Sequence, residues 1–348
     1  MEQEKTHKRR VRYKGKYPKN YHEKYKELQP EKYKDTIEKV INKGSTPAGM
    51  HISICVDEIL DFLQIKPGQV GFDATLGYGG HTLKMMEKLE HKGHMYACDI
   101  DPIESAKTKE RLANLGYGED FLTIKLMNFA QIDELVKEAG KFDFILADLG
   151  VSSMQIDNPD RGFSYKKDGP LDLRLNPTKG ISAAERLKHI DEDEFAGMLI
   201  ENSDEPYAKE IAKKVVQLIK KGVTIDTTKK LYQAIEEALQ FIPQKEREMA
   251  IKKSSARVFQ ALRIDINQEF EVLYSFLEKL PDALNPNGRV AILTFHSGED
   301  KLVKKSFKRF YKEGIYSEIA KDVIRPSAKE CARNSRAHST KMRWAIKA

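Results

Sequence analysis

A glycine-rich turn beside a carboxylate is the first place in this sequence where residue types and spacing indicate chemistry. The segment VGFDATLGYGGHT, residues 70–82, reads as a buried strand, a turn and the start of a helix, a context in which backbone approaches a nucleotide cofactor. Gly77, Gly79 and Gly80 permit that approach. Their spacing is GxGG, which differs from the GxGxxG of dinucleotide sites. Because a carboxylate at Asp73 would repel a pyrophosphate, the turn better suits a positively charged cofactor, such as a sulfonium or an amine.

A second acidic position follows at the end of the next apolar segment. Asp99 closes a predicted strand, residues 94–99, about twenty residues beyond the glycines, where a carboxylate can accept hydrogen bonds from ribose hydroxyls. Three interpretations of the two segments stay open at this point. They are an S-adenosylmethionine site, a dinucleotide site, and an ordinary strand-to-helix turn in which Asp99 and Asp101 cap a helix.

A parallel sheet would bring these residues to one edge, and the sequence alternates as such a sheet requires. Between residues 70 and 149, short apolar segments that resemble strands alternate with segments that resemble amphipathic helices. This alternation predicts an α/β fold with a parallel sheet covered on both faces. The predicted strands are residues 70–76, 94–99, 121–126 and 142–149, and the predicted helices are residues 54–63, 81–89, 103–115 and 132–139.

The alternation stops after Gly150 and returns near residue 257. Residues 182–256 indicate successive helices without a strand, so we predict an all-helical domain inserted into the sheet domain. A long amphipathic helix (259–280), a turn (285–288) and two strands (289–295 and 342–346) are expected after it. The predicted divisions are a basic N-terminal extension (1–46), a sheet domain in two parts (47–155 and 257–348) and the helical insertion (156–256).

Charge and composition restrict the classes of partner and location. The formal net charge of +7, and the density of Lys, Arg and Tyr within residues 1–46, favour a polyanionic partner. Such a segment can follow phosphates and stack on bases, but a solubilising tail has a similar composition. No segment has the apolar length of a membrane span, and no signal peptide is visible, so we predict a cytoplasmic protein without a membrane partner. The three dispersed cysteines form no ligand spacing and predict no metal site.

Residues 142–185, FDFILADLGVSSMQIDNPDRGFSYKKDGPLDLRLNPTKGISAAE, resemble the bacterial 16S ribosomal RNA cytosine-N4 methyltransferases, the MraW family. FQALRI near residue 259, FHSGED near residue 295 and the terminal NSRAHSTKMR resemble further blocks of that family, in the same order. The resemblance covers roughly residues 50–348. It implies a class I methyltransferase (Rossmann-like) fold, S-adenosylmethionine as cofactor, and methylation of a cytidine N4 amine in 16S rRNA or the assembled small subunit.

The resemblance also assigns roles to individual positions. The chemistry of the reaction adds a catalytic role for Asp148, because an acceptor there would orient the exocyclic amine of the base. Other interpretations remain for three of the assigned residues: helix capping for His81, core packing for Phe129 and a loop cap for Asp148. Together with Asp73 and Gly77 from the glycine turn, the expected cofactor-binding residues are Gly79, Gly80, His81, Asp99, Phe129, Asp148 and Gln155.

Cations and an aromatic side chain on the expected substrate side predict contact with RNA. A base must be unpaired or extruded to enter a methyltransferase pocket, and cations with stacking faces would help to hold it. The alternative is a structured loop in which Arg161, Asp172 and Arg174 form internal ion pairs. A homodimer is compatible with this interpretation. The predicted RNA-binding residues are Arg161, Phe163, Arg174, Arg257 and Arg263.

The chain departs from the family pattern at Ser254, Ser255, Gly298 and His338. Because these departures lie in blocks near the expected substrate side, they leave the target nucleotide open. Two alternative functions stay open. One is a paralogue that methylates another RNA or DNA position, and the other is a catalytically inactive RNA-binding protein. A nicotinamide-dependent enzyme is disfavoured by the GxGG spacing.

Overall fold

A seven-stranded sheet organises the computed structural model, which describes residues 53–348. The strand order is β3-β2-β1-β4-β5-β7-β6. Adjacent strands among β1 to β5 pair in parallel, whereas β7 runs antiparallel to both β5 and β6. The strands are β1 (Val70–Asp73), β2 (His94–Asp99), β3 (Leu122–Leu126), β4 (Phe142–Asp148), β5 (Leu284–Thr294), β6 (Tyr316–Ile319) and β7 (Lys341–Lys347).

Helices cover both faces of the sheet and form a separate group between β4 and β5. The predicted α/β class with inserted helices is therefore confirmed. The N-terminal extension, with its expected RNA contacts, lies outside the described residues. The helices are α1 (Val56–Leu63), α2 (Gly80–Leu89), α3 (Pro102–Asn114), α4 (Ile132–Ala139), α5 (Ser153–Asp157), α6 (Ala183–His189), α7 (Glu192–Ser203), α8 (Ala208–Lys220), α9 (Thr228–Ala238), α10 (Gln244–Asn267), α11 (Glu269–Ala283), α12 (Ser297–Lys312) and α13 (Ala328–Arg333).

The apolar strands are buried because helices pack on both sides of them. Phe72 and Ile145 belong to a core that includes residues of α4, α11 and α12. Phe144 and Leu146 point to the opposite core, which includes residues of α1, α2 and α3. The carboxyl ends of the parallel strands therefore share one edge, where β1, β2 and β4 each end in an aspartate.

The inserted helices have their own hydrophobic core, built from residues of α6 to α10 and the loop that precedes them. Helix α10 continues through residues 256 and 257 without interruption, so the expected boundary between insertion and sheet domain falls inside a helix. We retain the division at 156–256 as a proposal. Among the described residues, no helix combines the length and the apolarity that a membrane span requires.

Several features of the second half differ from the sequence prediction. The helix expected over 259–280 is two helices, because Gln268 adopts a left-handed conformation (φ 51°) between α10 and α11. The turn expected at 285–288 is an irregularity inside β5, where Asn287 has φ 61°. Helices α12 and α13 and strand β6 were not predicted at all.

Candidate functional site

The glycine turn connects β1 to α2 at the carboxyl edge of the sheet. Gly77 and Gly79 have positive φ angles of 47° and 70°, and α2 begins at Gly80. A β-carbon added at Gly79 would lie 2.9 Å from Cγ2 of Thr108, so the turn has no room for a larger residue. The first amides of α2 have no partner within their own helix, which leaves donors and a positive dipole end at this edge.

Asp99, at the end of β2, stabilises the glycine turn by a hydrogen bond. Its Oδ2 accepts a hydrogen bond from the Gly77 amide (2.8 Å), and its Oδ1 accepts one from the Asp101 amide (2.8 Å). A carboxylate offers about four lone-pair positions, so Asp99 keeps acceptor capacity for a ribose hydroxyl. Burial raises the pKa of Asp99 to about 6, even though the hydrogen bonds from Asp101 and Gly77 lower it.

Asp148 ends β4 and brings an unsatisfied acceptor to the same edge. Its amide donates to Oγ1 of Thr75 (2.7 Å), and its Oδ2 lies 3.5 Å from Nδ1 of His81. Oδ1 of Asp148 is buried and has no hydrogen-bond partner. Burial raises the pKa of Asp148 to about 6, and the nearby His81 opposes this rise. Because a buried acceptor without a donor is costly, Oδ1 suits an incoming N–H group.

His81 links Asp148 to the segment before α1. Its side chain is 8% exposed, and its Nε2 lies 2.9 Å from the carbonyl oxygen of Ile54. Since a carbonyl can only accept, Nε2 carries the proton in this contact. His81 therefore ties α2 to the segment before α1 and places a ring nitrogen close to Asp148, and its expected cofactor contact stays a prediction.

Asp73 is turned inward at the end of β1. It is 1% exposed, and its oxygens accept hydrogen bonds from Oγ1 of Thr82 (2.6 Å) and from the amide of Thr75 (3.0 Å). These contacts tie β1 to α2 across the glycine turn. They favour a role for Asp73 in shaping the turn, so direct contact with a positively charged cofactor stays a prediction.

The two remaining cofactor candidates flank the edge from opposite sides. Phe129 follows β3, is partly buried and packs edge-on against Phe276, with ring centres 5.1 Å apart. Gln155 is 8% exposed, and both ends of its amide are engaged, by the Ser152 amide and by Asp101. Phe129 therefore keeps part of its ring exposed, whereas Gln155 is held within the loop after β4, and cofactor contact by both residues stays a prediction.

Asp101 connects the carboxyl edge of the sheet to the loop after β4. From the sequence it was expected only to cap a helix. Its Oδ1 caps α3 by accepting the amides of Ile103 and Glu104. Its Oδ2 accepts from Nε2 of Gln155 (2.9 Å) and from Nη1 of Arg161 (2.7 Å). The residue is 0% exposed, so the ion pair with Arg161 is buried. The pattern DIDP signalled the cap, but nothing local signals partners 54 and 60 residues away.

The arginines expected to bind RNA are mostly engaged inside the protein. Arg161 pairs with Asp101 and also donates to two backbone carbonyls. Arg174 forms two hydrogen bonds with Asp172, and Arg263 forms two with Glu269. These contacts match the ion-pair alternative for Arg161 and Arg174, and they favour structural roles for all three arginines.

The other two RNA candidates lie at the helical insertion. Phe163 is 8% exposed and belongs to the core of the insertion. The side chain of Arg257 is 38% exposed, and its Nη1 lies 3.8 Å from Oε2 of Glu205. Arg257 is therefore the most accessible guanidinium of the expected set, and RNA contact by these residues stays a prediction.

The departures from the family pattern have different environments. Ser254 and Ser255 are fully buried, and Oγ of Ser254 donates to Glu205 (2.7 Å), so both face the inside of the protein. His338 is exposed. A β-carbon at Gly298 would lie 2.5 Å from Cζ of Phe270, so this aromatic ring occupies the space that a larger side chain would need.

Comparisons with known proteins agree with this arrangement. A sequence model of the MraW methylase family matches residues 48–348. The chain is 70% identical over all 348 residues to "Ribosomal RNA small subunit methyltransferase H 1" of Agathobacter rectalis, and the match covers 100% of both proteins. A protein named "Ribosomal RNA small subunit methyltransferase H" from Thioalkalivibrio sulfidiphilus is 38% identical over 77% of this chain and 82% of its own length. The chain therefore belongs to the MraW methylase family.

Proposed function

We propose that this protein transfers the methyl group of S-adenosylmethionine to the N4 amine of a cytidine in 16S rRNA, the RNA of the small ribosomal subunit. Membership of the MraW methylase family and the names of its close relatives support the enzyme class and the substrate. The structural observation that carries the proposal is the buried, unpaired Oδ1 of Asp148 beside the glycine turn. It supplies an acceptor for an amine where parallel-sheet enzymes bind ligands.

The residues at the sheet edge fit the cofactor. Asp99 has lone pairs left for the ribose hydroxyls, the glycine turn leads into the amino end of α2, and Phe129 offers a ring face near β3. When bound, S-adenosylmethionine supplies an electrophilic methyl group on a sulfonium. The protein contributes mainly orientation and the exclusion of water, because an in-line displacement of this kind needs no strong acid or base.

Asp148 would act on the amine of the base. Oδ1 accepts an N–H of the exocyclic amine, which holds the nitrogen lone pair toward the methyl group and away from the ring. A pKa of about 6 leaves the carboxyl mostly ionised at neutral pH, as an acceptor must be. After transfer, the surplus proton on nitrogen can pass to Oδ1 and then to solvent.

The direct test is transfer of labelled methyl from S-adenosylmethionine to small ribosomal subunits from a strain that lacks the gene. Mass spectrometry of the nucleosides should find N4-methylated cytidine at a single position. A different methylated nucleoside would refute the N4 assignment while keeping the enzyme class. Absence of transfer to subunits, naked rRNA and DNA would favour an RNA-binding protein without activity.

Location and assembly belong to the same proposal. Small subunits are cytoplasmic particles, so we place the protein in the cytoplasm. We also keep the homodimer as a proposal, for which sedimentation of the full chain should give twice the mass of 39.8 kDa.

Replacing Gly79 with alanine should weaken cofactor binding about tenfold and lower the free energy of unfolding by about 1–2 kcal/mol, the cost of a left-handed conformation for a residue with a β-carbon. The φ of 70° and the 2.9 Å approach to Thr108 are the physical causes. Calorimetry with S-adenosylmethionine and urea denaturation measure the two effects. Gly118→Ala is the control, because a β-carbon there meets no atom within 4 Å. Unchanged affinity in Gly79→Ala would contradict the dependence of cofactor binding on the conformation of this turn.

A further inference from the structure

Helix α12 carries five lysines on a single face: Lys301, Lys304, Lys305, Lys308 and Lys312. At 3.6 residues per turn they fall within an arc of about 100° and extend along about 16 Å of the helix. All five are exposed. We call this set the lysine stripe. The sequence alone does not single it out, since a charged helix face by itself is common.

The lysine stripe has no counter-charge among the residues that the structure describes. None of its lysines forms an ion pair or a side-chain hydrogen bond there, whereas Arg309 of the same helix is paired with Glu278. The acids of α12, Glu299 and Asp300, are buried at its start, and Asp300 is engaged by Arg343.

This arrangement is unfavourable for the isolated fold. Three pairs of lysines are four residues apart, and each such pair of like charges destabilises a helix by a few tenths of a kcal/mol, about 0.2–0.5. A polyanion bound along the face would convert this repulsion into attraction.

An exposed aromatic residue borders the lysine stripe. Tyr311 is 49% exposed and lies about 20° beyond the edge of the arc. Cations that follow a backbone, together with an aromatic face on which a base can stack, are the usual combination in proteins that bind single-stranded nucleic acid. The stripe contains no exposed large aliphatic residue, which a membrane-surface helix would need.

The lysine stripe begins about one turn after the start of α12. Helix α12 follows β5 at the carboxyl edge of the sheet, and Lys301 is two residues after Glu299. Glu299 is close enough to Asp148 for its charge to contribute to the raised pKa of that aspartate. An RNA strand whose target base enters the site can therefore continue along α12.

We propose that the lysine stripe binds the phosphate backbone of the rRNA segment that flanks the target base. This inference rests on the proposed function and adds the surface that holds the substrate. We propose RNA as the ligand because the lysines offer point charges for phosphates and Tyr311 offers an aromatic ring on which a base can stack.

The test compares two triple variants of the full chain. Lys304→Ala/Lys305→Ala/Lys308→Ala removes the centre of the stripe. Lys66→Ala/Lys92→Ala/Lys141→Ala removes three exposed lysines that precede β1, β2 and β4, at the opposite edge of the sheet. The net charge changes equally in both variants, so a general effect of charge is controlled.

We expect the stripe variant to bind naked 16S rRNA about 100-fold more weakly at 0.1 M salt, and its salt dependence of log affinity to fall by about 2. These values follow because each phosphate neutralised on a single strand contributes about 0.7 to the slope, and the variant removes three cations. KM for small subunits should rise, while kcat at saturating subunits and the affinity for S-adenosylmethionine should stay within about twofold. Thermal melting should show that both variants fold.

Two results would overturn the inference: an unchanged salt slope in the stripe variant, or equal reductions of affinity in both variants. Failure of the proposed function is distinguishable, because it would appear as no methyl transfer by the unaltered protein. In that case the salt slopes of rRNA binding still decide whether the stripe contacts phosphates.

Discussion

Replacing Asp148 with asparagine should reduce the rate of methyl transfer at saturating S-adenosylmethionine about 100- to 1,000-fold. Asparagine has the same shape but presents an amide in place of a carboxylate. It can neither attract the developing positive charge on the amine nor accept its proton at Oδ1. Single-turnover transfer to small subunits measures the rate, and calorimetry measures cofactor binding.

Asp143→Asn is the matched control, because this residue lies on the same strand at the opposite edge of the sheet. Its carboxylate accepts hydrogen bonds from the amide of Val70 and from Asn285, far from the site along β4. The control should transfer methyl at close to the normal rate. Near-normal turnover in Asp148→Asn with intact cofactor binding would exclude a carboxylate role there.

The pH dependence of the reaction should report the same group. The pKa of Asp148 is about 6, and the active form is the ionised one, so the rate at saturating cofactor should fall as the pH drops through 6. The pKa of Asp99 is also about 6, and its protonation should weaken cofactor binding over the same range. Rates at saturating cofactor separate the two groups, and Asp148→Asn should lack this acid limb.

Asp148→Asn should also be more stable than the natural protein above pH 6. The folded-state pKa of Asp148 lies above its ordinary value of 3.8, so the folded state takes up a proton between these two values. Ionisation at higher pH therefore opposes folding, by about 1–3 kcal/mol for a shift of about two units. Asparagine carries no charge and avoids this cost. A higher melting temperature together with lost activity would be the signature of a group kept for chemistry.

Replacing Arg161 with methionine should lower the free energy of unfolding by about 3–5 kcal/mol. The substitution leaves the carboxylate of Asp101 fully buried without its cation. It also removes the donors to the carbonyls of Arg174 and Leu175, which shape the loop after β4. Urea denaturation followed by circular dichroism measures the effect.

Arg174→Met provides the comparison within the same loop. The Arg174–Asp172 pair is 21% exposed on both sides, so its removal should cost about 1 kcal/mol or less. Adding Asp101→Asn to Arg161→Met should recover part of the lost stability, because the unpaired buried charge is gone. If Arg161→Met instead melted normally and only lost RNA affinity, direct RNA contact would be the better interpretation.

The residues at the carboxyl edge of the sheet could be predicted from the sequence, because the patterns that indicate them are local. A strand that ends in a carboxylate and a glycine turn that opens a helix are each visible within a dozen residues or so. The pair Asp101–Arg161 was not visible, because it joins residues that only the folded chain brings together. RNA contact therefore looked as reasonable for Arg161 as an ion pair did.

The secondary-structure predictions that were wrong in the second half of the chain have physical reasons of the same kind. Apolar residues keep a helical spacing from Phe259 through Phe270, so periodicity alone could not reveal the break at Gln268. Asn267 anchors that break by donating to the carbonyl of Leu173, a contact 94 residues apart in sequence. Strand β6 has four residues, of which only Tyr316 is fully buried, too few for an alternation to be recognised.

The shared position of Asp101 limits how this enzyme can vary. Its backbone supports Asp99 at the cofactor edge, and its side chain holds Gln155 and Arg161 in the loop after β4. A substitution at Asp101 or Arg161 alone leaves a buried charge or donor unmatched, so we expect related sequences to exchange the two residues together. The loop after β4 therefore cannot change independently of the carboxyl edge of the sheet, where the cofactor is expected to bind. New target preferences are thus expected to arise at exposed positions, where single substitutions are tolerated.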